Sequence, residues 1–137
     1  MRMVDPRSGI EVLDEDACLT RLAGAQIGRL AVVDGTGPMI FPVNYVLDGR
    51  TIVFRTAGGT KLEQGPRAGA CFEIDAFDDA SRTGWSVVAA GRLDEITQYE
   101  SYAMDVAQAL PVDPWAGGDK PHWMRLTPTR ITGRRVG

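Results

Sequence analysis

The sequence is poor in the residues that build metal and redox centres. Among 137 residues there are two cysteines, Cys18 and Cys71, and a single histidine, His122. The cysteines do not form a Cys-x-x-Cys motif, and one histidine cannot complete a zinc site by itself. We therefore expect two reduced, buried thiols and no metal site.

Long apolar runs and an excess of positive charge are also missing. No apolar stretch approaches the roughly 20 residues of a membrane span, and the N-terminus lacks the apolar core of a signal peptide. The net charge of −3 is not typical of a nucleic-acid-binding protein, which is usually basic. These features predict a cytoplasmic protein that binds neither membranes nor nucleic acid.

What the sequence does contain is a series of short, β-branched segments separated by turn residues. A hydrophobic content of 44% in 137 residues suits one domain spanning residues 1–137, and we expect residues 1–10 to form a loose N-terminal arm. Alternating apolar residues and turn signals predict six strands. Their expected ranges are 27–34, 39–47, 51–56, 69–77, 85–96 (with a bulge at Gly91) and 122–136.

Three helices are predicted at the edges of this β region. Asp14 is a good N-cap for a helix over 14–24, and a Thr-Lys-Leu-Glu capping box begins a short helix at Thr60. Tyr99, Tyr102, Ala103 and Val106 recur at helical spacing and predict a core-facing helix over 97–110. The fold class is mainly β with peripheral helices. A split β-barrel of antiparallel strands removes most sheet edges, and an open α+β sandwich is the alternative.

The stretch "FRTAGGTKLEQ", residues 54–64, joins the end of a predicted strand to the start of a predicted helix. Helix N-termini attract anions, and Arg55, Thr56, Thr60 and Lys61 add side-chain donors at the same point. The glycine spacing is not that of a Walker loop. We interpret the stretch as a cradle for the phosphate of a mononucleotide cofactor; solvated surface charges beside an ordinary turn are the alternative.

Four short patterns resemble the split-barrel flavoproteins of the pyridoxamine 5′-phosphate oxidase-like family, in particular the nitroimidazole-resistance-like subgroup. They are Gly28-Arg29-Leu30, Pro42-Val43-Asn44-Tyr45, Phe54-Arg55-Thr56-Ala57 and Gly59-Thr60-Lys61-Leu62. The resemblance covers roughly residues 14–136, and it implies a homodimer with cofactor sites at the subunit interface.

The same resemblance implies roles for individual residues. Arg55, Thr56 and Lys61 would hold the phosphate of FMN, and Thr60 would lie beside them. Residues Pro42, Val43, Asn44 and Tyr45 would offer backbone groups to the isoalloxazine ring. Trp85 and Ser86 would come from the second subunit, and Trp123 could lie near the ring. Nitroimidazole-resistance-like proteins often carry histidine where Arg55 stands, so the resemblance transfers neither nitroreduction nor the oxidase reaction.

The functional expectation is an FMN-binding oxidoreductase that transfers a hydride to or from a small molecule. A deazaflavin coenzyme bound by the same fold is one alternative. Another is a non-enzymatic protein that stores or senses a flavin or haem, for which His122 would be the haem ligand.

Overall fold

The computed structural model describes residues 3–35, 37–57 and 68–137. The predicted short helix at Thr60 lies outside these ranges. Within them the chain forms β-strands and two α-helices. The strands are β1 Met3–Val4, β2 Glu11–Leu13, β3 Ile27–Asp34, β4 Gly37–Asn44, β5 Val46–Asp48, β6 Thr51–Thr56, β7 Ala68–Asp78, β8 Thr83–Glu95 and β9 His122–Val136. The helices are α1 Glu15–Gly24 and α2 Ser101–Gln108.

One antiparallel sheet holds all the described strands, and it curls into a half-barrel. Its main path runs β1-β2-β9-β8-β7-β3-β4, and β6 joins β9 while pairing with β5. The 15-residue strand β9 connects the parts, because its first half pairs with β6 and its second half with β2. The mainly β, split-barrel prediction is thereby confirmed.

Helix α1 packs against β5, β8 and β9 of the curled sheet. The Asp14 side chain accepts a hydrogen bond from Ala17 N at 2.8 Å, as an N-cap should. Cys18 and Leu22 stand one turn apart and are fully buried in the main core, together with Phe54 and Phe72 of the sheet. Full burial of such a side chain contributes about 1.5–3 kcal/mol, so these contacts fix α1 on the sheet.

Helix α2 is shorter than predicted and its buried face is different. Tyr99 precedes the helix and is 86% exposed, while Tyr102 is 83% exposed. The helix instead buries Ala107 in a second cluster with Val53 and Trp123, so the core-facing tyrosine stripe was wrong. Of the predicted stripe, Ala103 does pack against this cluster, whereas both tyrosines point into solvent.

The bulge that we predicted at Gly91 is present where β8 pairs with β9. The β8–β9 register shifts between Ala90 and Gly91, leaving Thr129 of β9 as the extra residue. A Cβ on Gly91 would lie 2.1 Å from the backbone oxygen of Thr127. Glycine is therefore required by the close approach of the neighbouring strand.

Two further expectations differ from the structure. Within the predicted loose arm, Met3–Val4 pairs with β2, which in turn pairs with the end of β9. Cys71 is exposed on β7 although we expected it to be buried; only Cys18 lies in the core. Cys71 follows the outward side of the strand's alternation, since its neighbour Phe72 points inward.

Candidate functional site

The two segments predicted to meet the cofactor lie at one end of the curled sheet. The β5–β6 hairpin pairs Val46 with Val53 and is entered directly from Tyr45. Continuing that register leads Asn44 towards Arg55. The segment Pro42–Tyr45 and the end of β6 are therefore neighbours in the fold, although ten residues of hairpin separate Tyr45 from Thr56.

Arg55 is held in place by two contacts from distant parts of the chain. Its Nε donates to the carbonyl of Lys120 at 3.1 Å. Its guanidinium carbon lies 4.9 Å from the centre of the Trp123 ring, a cation–π geometry. Among the described residues it has no carboxylate partner. A half-buried guanidinium that is oriented but not neutralised is suited to bind an anion.

Thr56 ends β6 opposite His122, the first residue of β9. Thr56 is buried, with 7% of its surface exposed. The Nδ1 of His122 lies 2.9 Å from Oε2 of Glu95 at the end of β8. The only histidine thus forms an exposed acid–histidine pair one strand away from the predicted phosphate residue.

Asn44 and Tyr45 use their side chains to hold the surrounding structure. Asn44 donates from Nδ2 to the Gln26 carbonyl at 3.3 Å and accepts from Trp115 N at 2.9 Å. The Tyr45 hydroxyl donates to the Leu22 carbonyl at the end of α1, and its burial raises the pKa of Tyr45 to about 12. These side chains are therefore engaged within the fold, and the backbone contacts expected with a cofactor stay a prediction.

Pro42 and Val43 point to opposite sides of β4. Pro42 is exposed opposite Arg29, and Val43 packs against the main core. Thr60 and Lys61, the remaining residues of the predicted phosphate cradle, lie outside the described residues. Their roles stay predictions.

Trp85 and Ser86 also lie on opposite sides of their strand, β8. The ring of Trp85 packs against the main core and lies 5.2 Å from the Arg21 guanidinium. Ser86 pairs with Asp75 and Arg134 and lies on the outer side of the sheet. Of the two, Ser86 is the residue that the monomer presents on the outer side of the sheet.

The outer face of the sheet is the side of β3, β4, β7, β8 and β9 that points away from the core. It carries the exposed apolar side chains of Val33 and Ile40, at 60% and 69% exposure. A hollow of about 570 Å³ lies among them and includes Cys71 and Ala90. Exposed apolar surface of this kind is typical of an interaction site.

Three charged residues border that apolar region. The Nη1 atom of Arg29 lies 3.9 Å from Glu73 and 3.6 Å from Asp75. Partial burial, followed by the neighbouring Asp75, raises the pKa of Glu73 to about 7, and Arg29 only partly opposes this. Glu73 therefore changes charge near neutral pH.

Sequence reasoning assigned no role to the segment 111–121, which was predicted only as a loop. Its backbone is bound by two predicted cofactor residues, at Trp115 by Asn44 and at Lys120 by Arg55. It also missed Glu95 as the partner of His122. No local signal could have revealed these pairs, because the partners are 27 to 71 residues apart in the chain.

No helix in the described part of the chain is long and apolar enough to cross a membrane.

Comparison with known proteins agrees with this architecture. An uncharacterized protein of Mycobacterium tuberculosis is 33% identical, over 98% of this chain and 92% of that protein. The structure of an FAD binding protein from Mycobacterium smegmatis is 35% identical, with a TM-score of 0.77, and the match covers 91% of this chain and 97% of that one. A candidate 5-nitroimidazole antibiotic resistance protein from Bacteroides thetaiotaomicron shares the fold at 15% identity, a TM-score of 0.66 and 93% and 89% coverage.

The curled antiparallel sheet with α1 packed against it defines a small split-barrel protein. Residues 14–135 match the family described as pyridoxamine 5′-phosphate oxidase. The chain belongs to that family, which confirms the resemblance found in the sequence.

Proposed function

We propose that this protein binds a flavin nucleotide, with FMN as the first choice, and exchanges a hydride with a small molecule. The observation that carries the proposal is the environment of Arg55. It lies at the end of β6, is oriented by Trp123 and the Lys120 carbonyl, and has no carboxylate partner among the described residues. A phosphate is the kind of group that such a guanidinium binds with paired hydrogen bonds.

The residues present fit a flavin phosphate in their donor chemistry. Arg55 would hold the phosphate with Thr56, and Thr60 and Lys61 would add donors from the adjoining segment. The backbone of Pro42–Tyr45 would bind the polar edge of the ring, and the Asn44 and Tyr45 side chains would keep that backbone in place. The flavin, when bound, would supply the hydride chemistry, while the protein supplies binding and orientation.

FAD is a second candidate because a 35% identical relative is described as an FAD binding protein. Its additional AMP half would need a place beyond the phosphate cradle. A deazaflavin coenzyme remains a third possibility, which the same titration tests.

We also propose that the protein works as a homodimer through the outer face of its sheet. Val33 and Ile40 supply an apolar centre. Arg29 and the pair Glu73 and Asp75 supply both charge signs, so two copies related by a two-fold axis can meet with opposite charges. Ser86 lies on the same face, which would bring it to the second copy.

The first experiment is a visible absorption spectrum of the purified protein, followed by titrations with FMN, FAD and a deazaflavin. Saturable binding of FMN tighter than FAD supports the first choice, and the reverse order supports the second. Failure to bind any of the three would overturn the proposal.

A single substitution tests the part of the predicted phosphate cradle that follows β6 in the chain. Charge-assisted hydrogen bonds contribute about 1.5–3 kcal/mol, so Lys61→Ala should raise the Kd for FMN roughly tenfold to a hundredfold. Arg7→Met, in the exposed turn before β2, is the control that also removes one positive charge. Equal affinities of the two variants would remove Lys61 from the phosphate site.

A further inference from the structure

A second cavity lies between the end of α1, the connection from β4 to β5 and the segment 111–121. Its volume is about 500 Å³, within the range of small-molecule sites. Ala23, Ala25 and Gln26 line it on the α1 side, and Pro111 and Asp113 line it on the other side. Asn44 and Tyr45 form its floor, so it shares a wall with the segment predicted to bind the flavin ring.

Hydrogen bonds fix the walls of this cavity. Asn44 joins both sides, because it donates to the Gln26 carbonyl and accepts from the backbone of Trp115. Tyr45 ties the floor to α1 through its hydroxyl, which donates to the Leu22 carbonyl, and to the segment after the helix through its backbone N–H, which donates to the Gln26 carbonyl at 3.2 Å. The cavity is therefore built by side chains from three separate parts of the chain.

The electrostatics of the lining have one sign. Among the nine lining residues, Asp113 is the only acidic or basic side chain, and Tyr45, whose pKa burial raises to about 12, adds no charge. The last carbonyl groups of α1 have no intrahelical donor and carry the negative end of the helix dipole. Ala23 and Ala25 place this end of α1 at the cavity.

We propose that this cavity is a binding site for a small organic cation, such as a protonated amine, with Asp113 as its counter-ion. Because the cavity adjoins Pro42–Tyr45, the bound cation would be the substrate or part of it; this last step rests on the proposed flavin function. Asn44 is a positioning residue, which holds the segment that carries Asp113 against the floor.

The probes are benzylammonium, benzyl alcohol and benzoate, which share a ring and differ in charge. We would follow the backbone amide of Trp115 and the side-chain amide of Asn44 by NMR during each titration, with and without FMN. Benzylammonium should shift both signals saturably, and the alcohol and benzoate should not. Equal shifts with all three probes, or no shift with benzylammonium, would overturn the proposal.

Two matched variants test whether Asp113 is the counter-ion of the bound cation. Asp113→Asn should weaken benzylammonium binding about tenfold, because it removes the counter-ion and keeps the shape. Asp119→Asn removes the same charge from the same segment outside the lining and should leave binding within about twofold. If both variants weaken binding equally, Asp113 is not the counter-ion.

The titrations with FMN and benzylammonium test the flavin site and the cation site independently. Loss of FMN binding with benzylammonium binding intact would overturn the proposed function alone. Intact FMN binding with no effect of benzylammonium would overturn the cation site alone.

Discussion

Arg55 and Arg125 lie on the same face of two neighbouring strands, yet their surroundings are opposite. In the β6–β9 ladder Arg55 pairs with Trp123, and Arg125 pairs with Val53. Arg125 binds both oxygens of Asp94 at 3.0 Å and Glu100 at 2.7 Å. Arg55 receives an aromatic ring and one carbonyl. Arg125 is therefore neutralised within the fold, whereas Arg55 is oriented without a carboxylate partner among the described residues.

This difference separates a structural arginine from a candidate binding arginine. Bidentate pairing with a carboxylate uses the donors that a phosphate would need, and it holds the pKa of Arg125 above its usual range. The pair Arg125–Asp94 joins β9 to β8, and Glu100 adds the start of α2. Substitutions at the two positions should therefore affect different properties.

The largest expected effect is on flavin affinity at Arg55. Arg55→Met keeps the length of the side chain and its contact with Trp123 but removes the phosphate donors. The Kd for FMN should rise about tenfold to a hundredfold, while the free energy of unfolding changes by less than about 1 kcal/mol. Fluorescence titration and urea denaturation measure the two quantities. An unchanged Kd would end the comparison, since Arg55 would then be a structural residue as well.

The next effect is on stability at Arg125. Arg125→Met leaves Asp94 and Glu100 partly buried without their partner, so the free energy of unfolding should fall by about 2 kcal/mol. The Kd for FMN should stay within about twofold. A second substitution, Asp94→Asn, should restore part of the loss because it removes one of the unpaired charges. If Arg125→Met alone were as stable as the original protein, the network of Arg125, Asp94 and Glu100 would contribute nothing to stability.

The smallest effect concerns a third arginine, Arg29, which only partly neutralises its two carboxylates. Because the folded-state pKa of Glu73 is raised to about 7, the folded protein binds more protons than the unfolded chain between the two pKa values. The contribution of Glu73 to the free energy of unfolding should therefore be most favourable below pH 4.5, and it should fall as pH rises towards 7.

After allowance for solvent screening, the loss through Glu73 should be on the order of 1 kcal/mol. Glu73→Gln should flatten this part of the stability profile, measured by urea denaturation from pH 5 to pH 8. Asp79→Asn, an exposed carboxylate in the turn between β7 and β8, serves as the control. A profile that Glu73→Gln leaves unchanged would assign the pH dependence to other groups.

Local sequence patterns predicted most of the strands and the N-terminal end of α1. Strand β3 begins and ends as predicted because its β-branched centre is bounded by turn residues, and Asp14 caps α1 because its side chain acts on an amide three residues away. The Gly91 bulge was also predicted from the residue type, although the contact that requires glycine there comes from Thr127 of the neighbouring strand. Contacts within a few residues of each other leave a signal in the chain that can be found without the fold.

The patterns failed where two faces of one element had to be distinguished. Tyr99, Tyr102 and Ala103 were all predicted to face the core, but only Ala103 packs against the second cluster, beside the buried Ala107, and both tyrosines are exposed. Cys71 is apolar enough for a core, but strand alternation places it outside. In both cases the residue type permits either environment, and packing against other elements decides between them.

The sequence by itself determined a mainly β domain of the pyridoxamine 5′-phosphate oxidase family and the candidates Arg55, Thr56 and Pro42–Tyr45. Only the tertiary structure decided that Arg55 stacks on Trp123 with no carboxylate partner among the described residues, that Arg125 is neutralised, and that Asn44 fixes a cavity wall. The physical reason is distance along the chain. Periodicity and turns depend on neighbouring residues, whereas the charge environment of a side chain depends on groups that folding brings to it from tens of residues away.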